Sequence, residues 1–272
     1  VYYDHVNIHQ SNVVGCHISY NAGGGVVVNK GDIRNLQIGT CDIEGNMGDK
    51  DSKPTANVLI DSEGAMVGEI AIVGCTIQHD HFAPGSANIR INENAYIRPH
   101  STEHRDGNIT IADNVLSDVQ TNIEITSARG VTVTGNTMWK GYTHNIRIHD
   151  CHNILIANNV LDRSPRYHYA DGATAQVGML LTDYDGISLN GNLINGTGDE
   201  TPALEIRDSR RMNITGCTIL DYSTIGLLLK NVSDSRVSDC LIRTDLPGSE
   251  SAQALEIIGG KDNQIVNNLY KK

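Results

Sequence analysis

Ile38-Gly39-Thr40-Cys41-Asp42-Ile43 returns as Ile72-Val73-Gly74-Cys75-Thr76-Ile77 and again as Ile214-Thr215-Gly216-Cys217-Thr218-Ile219. The same frame, with Asn in place of Cys, runs from Ile111 to Leu116, Val133 to Met138, Ile156 to Leu161 and Leu189 to Ile194. Val237 to Ile242 is a further Cys copy, and Val13 to Ile18 and Ile265 to Tyr270 are the end members. The rule is an apolar residue, two small or polar ones, Cys or Asn, any residue, then apolar again. Self-similarity at a few tens of residues is the mark of a solenoid, whose coils bury their apolar face only against the next copy. Successive Cys/Asn positions lie 25, 34, 39, 22, 23, 33, 25, 23 and 28 residues apart. The shortest spacing is one coil and the excess is loop, so the chain predicts about ten coils.

A second strand precedes most copies, with apolar residues at every other position: Asn57-Val58-Leu59-Ile60, Asn88-Ile89-Arg90-Ile91, Asn122-Ile123-Glu124-Ile125 and Asn145-Ile146-Arg147-Ile148. If the isoleucines point inward, the residue between them points out. Down the stack that outward column reads Val27, Leu59, Arg90, Glu124, Arg147, Leu180, Glu205, Leu228, Glu256. Two residues later comes Asn29, Asp61, Asn92, Thr126, His149, then Asp183 (or Thr182), Arg207 and Lys230. Five of the six cysteines stand where other coils carry Asn, which reads as core packing by a small buried hydrophobe. The fold expected is all-β: a single right-handed parallel β-helix domain over 1–272.

Composition agrees. One Trp and one Phe in 272 residues leave little for a globular aromatic core, and 27 glycines punctuate the β-branched runs. A net charge of −11 argues against a nucleic-acid partner, and no apolar run is long enough for a membrane span. The chain opens on a strand-like Val1-Tyr2-Tyr3 with no signal segment, so it reads as a mature or partial chain of an extracellular or cell-surface protein.

The Ile-x-x-Asn/Cys-x-Ile repeats and the Asn-Ile-x-Ile strands resemble the pectate-lyase-like superfamily of right-handed β-helix proteins. That superfamily includes uronate lyases, polygalacturonases, epimerases, tailspikes and surface proteins, so the resemblance implies the fold and leaves the activity open. The polygalacturonase signatures are absent; Arg147-Ile148-His149 is a loose echo of one. Arg98-Pro99 followed by Arg105 is similar to the Arg-x-Pro-x-x-Arg element of pectate lyases, at a different spacing.

Function on a solenoid belongs where regularity breaks. Three breaks are chemically rich: 92–107 (NENAYIRPHSTEHRDG), 139–144 (WKGYTH) and 162–171 (DRSPRYHYAD). Eight of the eleven histidines lie between His79 and His168, which predicts one functional cleft on the middle coils. Uronate β-elimination needs a cation for the carboxylate, a base for the C5 proton and an acid for the leaving oxygen. Arg147, His149, His168 and Tyr169 are the catalytic candidates, and Tyr167 offers another acid. Arg90, Glu124, Arg98, His100, His104, Arg105, Trp139, His144, Arg166 and Asp171 are the substrate-binding candidates, with Trp139 and Tyr142 as stacking surfaces. For Arg90, Glu124, Arg147 and His149 a plain inter-strand ion-pair ladder is an equal alternative.

The expected activity is therefore that of a carbohydrate-active enzyme, a lyase on a uronate-containing polysaccharide. A non-catalytic carbohydrate-binding or structural module is the first alternative. A glycoside hydrolase using carboxylates such as Asp80, Glu103, Glu124, Asp171 or Asp183 is the second. No metal residue is assigned; Gly48-Asp49-Lys50-Asp51 is a calcium candidate, although interleaved Lys50 and Lys53 favour a solvated turn. Open sheet edges at the end coils make oligomers an expected alternative to a monomer.

Overall fold

The computed structural model describes residues 1–48, 55–63, 67–92, 107–163 and 171–270, with Asp171 described only in its backbone. The described strands follow one plan. A strand of sheet I is followed by a strand of sheet II and then by a short strand of sheet III, after which the chain enters sheet I again one coil further on. Sheet I has ten strands, from Tyr2–Asp4 to Gln253–Ile258; sheet II has eleven, and sheet III ten. All pairings within the three sheets are parallel, and each joins a coil to its neighbour. The path is the right-handed parallel β-helix that the repeat predicts, and right-handed crossover is the rule for parallel strands.

Side chains stack in register along the interior. One file on sheet III runs Ile43, Ile77, Leu116, Met138, Leu161, Ile194, Ile219, Ile242, each paired with the next coil. All eight are buried. Burying each such side chain stabilises by about 1.5–3 kcal/mol, so the core is a long, thin column rather than a ball.

The Cys/Asn ladder occupies the turn from sheet II to sheet III. The Asn114 amide N–H donates to Asn136 Oδ1 at 3.1 Å, Asn136 N–H to Asn159 Oδ1 at 3.0 Å, and Asn159 N–H to Asn192 Oδ1 at 3.1 Å. Where cysteine substitutes, its sulfur takes the same place: Cys41 N–H reaches Cys75 Sγ at 3.5 Å. All six cysteines are free thiols. The residue before the ladder position is left-handed in coil after coil, with φ of 67° at Gly135, 55° at Asn158 and 61° at Gly191. That conformation explains why this slot holds Gly, Asn or Asp in every coil but the one with Thr40, whose φ is 50°.

Two features were not anticipated. A second asparagine ladder lines the return to sheet I, where Asn57 Nδ2 donates to Asn88 Oδ1, Asn88 Nδ2 to Asn122 Oδ1 and Asn122 Nδ2 to Asn145 Oδ1, at 2.6–2.9 Å. The sixth cysteine, Cys151, also caps a turn: buried between sheets I and II, its sulfur accepts the Ala128 N–H at 3.3 Å. Among the described residues no helix is long and apolar enough to cross a membrane.

Candidate functional site

The outward column on sheet I falls as the alternation demands. Leu59 pairs with Arg90, Arg90 with Glu124, Glu124 with Arg147, Arg147 with Leu180 and Leu180 with Glu205. The flanking Ile123, Ile125, Ile146 and Ile148 are fully buried, so each strand splits cleanly into a greasy inner edge and a polar outer one. In the next column the register sets Thr182, not Asp183, opposite His149.

These outward groups form a connected patch. Glu124 uses both oxygens: Oε2 meets Arg90 Nε at 2.7 Å and Oε1 meets Arg147 Nη1 at 3.3 Å. Arg90 is further fixed through Nη1 to Thr55 Oγ1 at 3.1 Å and Nη2 to the Gly85 carbonyl at 2.5 Å. Arg147 is 54% exposed in its side chain against 24% for Arg90, and only its Nη1 meets Glu124. One coil on, His149 Nδ1 lies 2.9 Å from Thr182 Oγ1 and 3.2 Å from Asp183 Oδ2. Glu205 is buried despite its outward position and is ion-paired with Arg207.

His144 sits at the edge of this patch, opposite Thr121. Burial first, and the positive field of Arg147 second, push its imidazole down to about 4 from the usual 6.5, against an opposing pull from Glu205. It is therefore neutral at pH 7, a donor and acceptor rather than a charge. His144, Arg147, His149, Glu124 and Arg90 are thus brought together as the sequence suggests.

The other expectations fare differently. The described histidines of the 79–168 stretch do not share one cleft. His144 and His149 lie on sheet I, His79 and His81 on the return loop from sheet III, and His152 at the start of sheet II, round the corner from His149. Clustering in sequence is not clustering in space when a coil turns through three faces. Trp139 and Tyr142 are engaged as well. Lys140 Nζ stands 4.7 Å from the Trp139 ring centroid, and Tyr142 stacks on His81 at 3.9 Å with 10° between the rings. Neither Arg98, His100, Glu103, His104, Arg105, Arg166, Tyr167, His168 nor Tyr169 belongs to the described residues, nor does the side chain of Asp171 or the pair Asp49 and Asp51. Glu205 and Arg207 were legible as column members but not as parts of the patch, because nothing local marks the burial of Glu205.

A second assembly, unforeseen from the sequence, lies over the return loops. Asp118 is buried, with Oδ1 3.2 Å from Lys140 Nζ and Oδ2 accepting from Ser117 Oγ at 3.0 Å. It floors a cavity of about 500 Å³ whose walls include Tyr20, Met47, His79, Asp80, His81 and Phe82. Among the described residues no three His, Cys, Asp or Glu side chains converge as metal ligands would.

The fold recurs in known structures of low sequence similarity. PfbA, a surface adhesin of Streptococcus pneumoniae, superposes with a TM-score of 0.57 at 14% identity over 97% of this chain and 62% of its own. A DFA-IIIase from Arthrobacter chlorophenolicus gives 0.56 at 10% identity over 87% of this chain and 59% of its own. The Dettilon tailspike protein gives 0.54 at 12% identity over 99% and 55%. The chain thus spans little more than half the length of these proteins. No curated protein sequence matches it. A family model does: residues 56–272 match the periplasmic copper-binding protein (NosD) family, and the chain belongs to that family.

Proposed function

We propose that the outer face of sheet I binds and processes an acidic polysaccharide outside the cytoplasm, by β-elimination at a uronate. The observation that carries this reading is Arg147, half-exposed and held on one side by Glu124, with His149 and His144 on its flanks. Its guanidinium fork suits the planar C6 carboxylate. In this reading His149 carries its proton on Nδ1, the nitrogen that lies near Thr182 Oγ1 and Asp183 Oδ2, and its Nε2 lone pair serves as the base. Removal of the C5 proton sends its electron pair into a C4–C5 double bond as the C4–O bond breaks. The leaving oxygen must then be protonated, the role assigned to His168 or Tyr169. Similarity to tailspike and DFA-IIIase structures supports the carbohydrate class through the fold alone. The family description supports the periplasm as the place.

The described residues do not fit copper. Copper takes imidazole as well as soft thiolate, yet no three His, Cys, Asp or Glu side chains converge among the described residues, and Cys41, Cys75, Cys151, Cys217 and Cys240 are sealed in the core at turn positions. No step is therefore routed through a metal. Glu124 is disfavoured as a hydrolytic carboxylate because both its oxygens are taken by arginine. The non-catalytic module remains the second reading, favoured by that same Arg90–Glu124–Arg147 chain, which is also what a stabilising ladder looks like.

The test is incubation with a panel of uronate-containing and neutral polysaccharides, following ultraviolet absorbance of unsaturated products and new reducing ends. Both signals together are expected, and Arg147→Ala should abolish them while leaving the melting temperature nearly unchanged. Reducing ends alone would replace the lyase with a hydrolase. Binding without either signal would make this a recognition module.

A further inference from the structure

The cavity over the return loops has a chemistry of its own. Its rim carries Tyr20 and Phe82, which are 76% and 81% exposed, among the most exposed large apolar side chains of the chain. Two exposed aromatic rings on one opening form a patch that calls for a partner, unlike singly scattered apolar residues.

Neither ring is on a loose tether. The loop bearing Phe82 is pinned at its start by Asn57 Nδ2 donating to the His79 carbonyl at 3.0 Å, and in the middle by Gln120 Nε2 donating to the His81 carbonyl at 2.6 Å. At its end Arg90 holds the Gly85 carbonyl. Phe82 N–H donates to Asp80 Oδ1 at 3.0 Å, and the Phe82 ring leans on His81 with centroids 3.9 Å apart; His81 is itself stacked on Tyr142. Tyr20 packs against Gly45, where an added Cβ would come within 2.9 Å of its ring. The rings are held in solvent by the structure around them, at the entropic cost that a preorganised platform has already met.

The floor and walls decide what fits between them. Asp118 and Asp80 are hydrogen-bond acceptors, and Glu44 stands beside the rim, so a carboxylate or phosphate ligand would be repelled. A wholly apolar partner would strip water from the carboxylate lone pairs that Ser117, Lys140 and the Phe82 N–H leave over, without replacing its hydrogen bonds, which is costly. The charge of Asp118 is already matched by Lys140, so a cation is not demanded either. What remains is a ligand with an apolar ring face for Phe82 and Tyr20 and a fringe of hydroxyl donors for the carboxylates.

We infer that this cavity is a binding site for uncharged sugar rings, separate from the arginine patch on sheet I. It stands independently of the lyase reading, since it requires no turnover. It gives the chain two sugar sites of opposite electrostatic character, one cationic and one acidic, joined through Arg90, which contributes to the first and anchors the loop of the second.

The single tryptophan provides the readout, because Lys140 lies over Trp139 and is ion-paired to Asp118 on the cavity floor. Trp139 fluorescence and calorimetry on the full chain, titrated with neutral oligosaccharides of glucose, galactose and N-acetylhexosamine, should show saturable binding of at least one series. Phe82→Ala and Tyr20→Ala should each weaken it about tenfold, and Asp80→Asn about threefold, with unchanged melting temperatures because these side chains are exposed. Arg147→Ala should leave this binding intact even where it removes uronate turnover, which separates the two sites. Absence of saturable binding across the panel, or binding that survives Phe82→Ala combined with Tyr20→Ala, overturns the inference. So does preferential binding of uronate oligosaccharides at this cavity.

Discussion

On the strand Val119–Thr126 two adjacent residues live under different physics. Ile123 is sealed between Ile89 and Ile146 of the neighbouring coils, and Glu124 faces out between Arg90 and Arg147. The inner file is fixed by shape, because each isoleucine has one pocket and one register in which to fill it. The outer file is fixed only by charge pairing on a surface, where each pair stabilises by about 0.2–1 kcal/mol. Inner positions therefore determine the coil, and outer ones are free to determine function.

The sharpest way to break the inner order is at the ladder. Asn136 Nδ2 donates to the Ile111 carbonyl at 3.0 Å and to Asn159 Oδ1 at 2.9 Å, and its Oδ1 accepts from both nitrogens of Asn114 at 3.0–3.1 Å. Asn136→Ala would strand several buried groups, each costing about 1–3 kcal/mol. A loss of about 4 kcal/mol or more is expected in urea unfolding. A loss below about 1 kcal/mol would show that the ladder is ornamental.

Ile123→Ala comes next. It removes a fully buried side chain from the column, and about 2–5 kcal/mol should be lost, with no direct change at the outer face.

This contrast marks what the sequence made legible. Alternation around Ile123 and Ile146 and the recurrence of Cys41, Cys75 and Asn114 impose a register, so the fold and the outward column followed from pattern alone. The second ladder was in plain view as the Asn that precedes the apolar alternation in four successive sheet I strands, at 57, 88, 122 and 145. It went unread because a single Asn before a strand also looks like a turn residue. The cavity was not legible, because Tyr20, Gly45, Phe82 and Asp118 come from successive coils through loops of unequal length. No period links them. His152 shows the opposite failure: three residues from His149 in sequence, it sits on another face because the chain turns a corner at Cys151.

His144 lies on the boundary between the two regimes and should report it through pH. Its folded value near 4 is below the unfolded 6.5, so the unfolded chain binds more protons between these limits. Stability should be undiminished above pH 6.5 and fall as the pH drops toward 4, by at most about 3 kcal/mol. His144→Gln should flatten that part of the profile. An unchanged slope would mean that the imidazole titrates as a solvated surface group, without the field of Arg147, Glu205, Arg207 and Glu124 acting on it.

The smallest effect on stability is expected at Glu124 itself, and it divides the readings of the outer face most cleanly. Glu124→Gln removes the charge between Arg90 and Arg147 and should cost no more than about 1 kcal/mol, since Arg147 is half-exposed to water and Arg90 keeps its bonds to Thr55 and Gly85. In the wild-type chain Glu124 occupies one nitrogen of Arg147 as an internal rival to a substrate carboxylate. Without that rival a uronate should bind more tightly, so KM for an acidic polysaccharide should fall several-fold while kcat stays within about twofold. A collapse of kcat would instead make Glu124 a catalytic carboxylate and favour hydrolysis. A change in melting temperature with no change in either constant would leave the column as a ladder of ion pairs, functional only as scaffold.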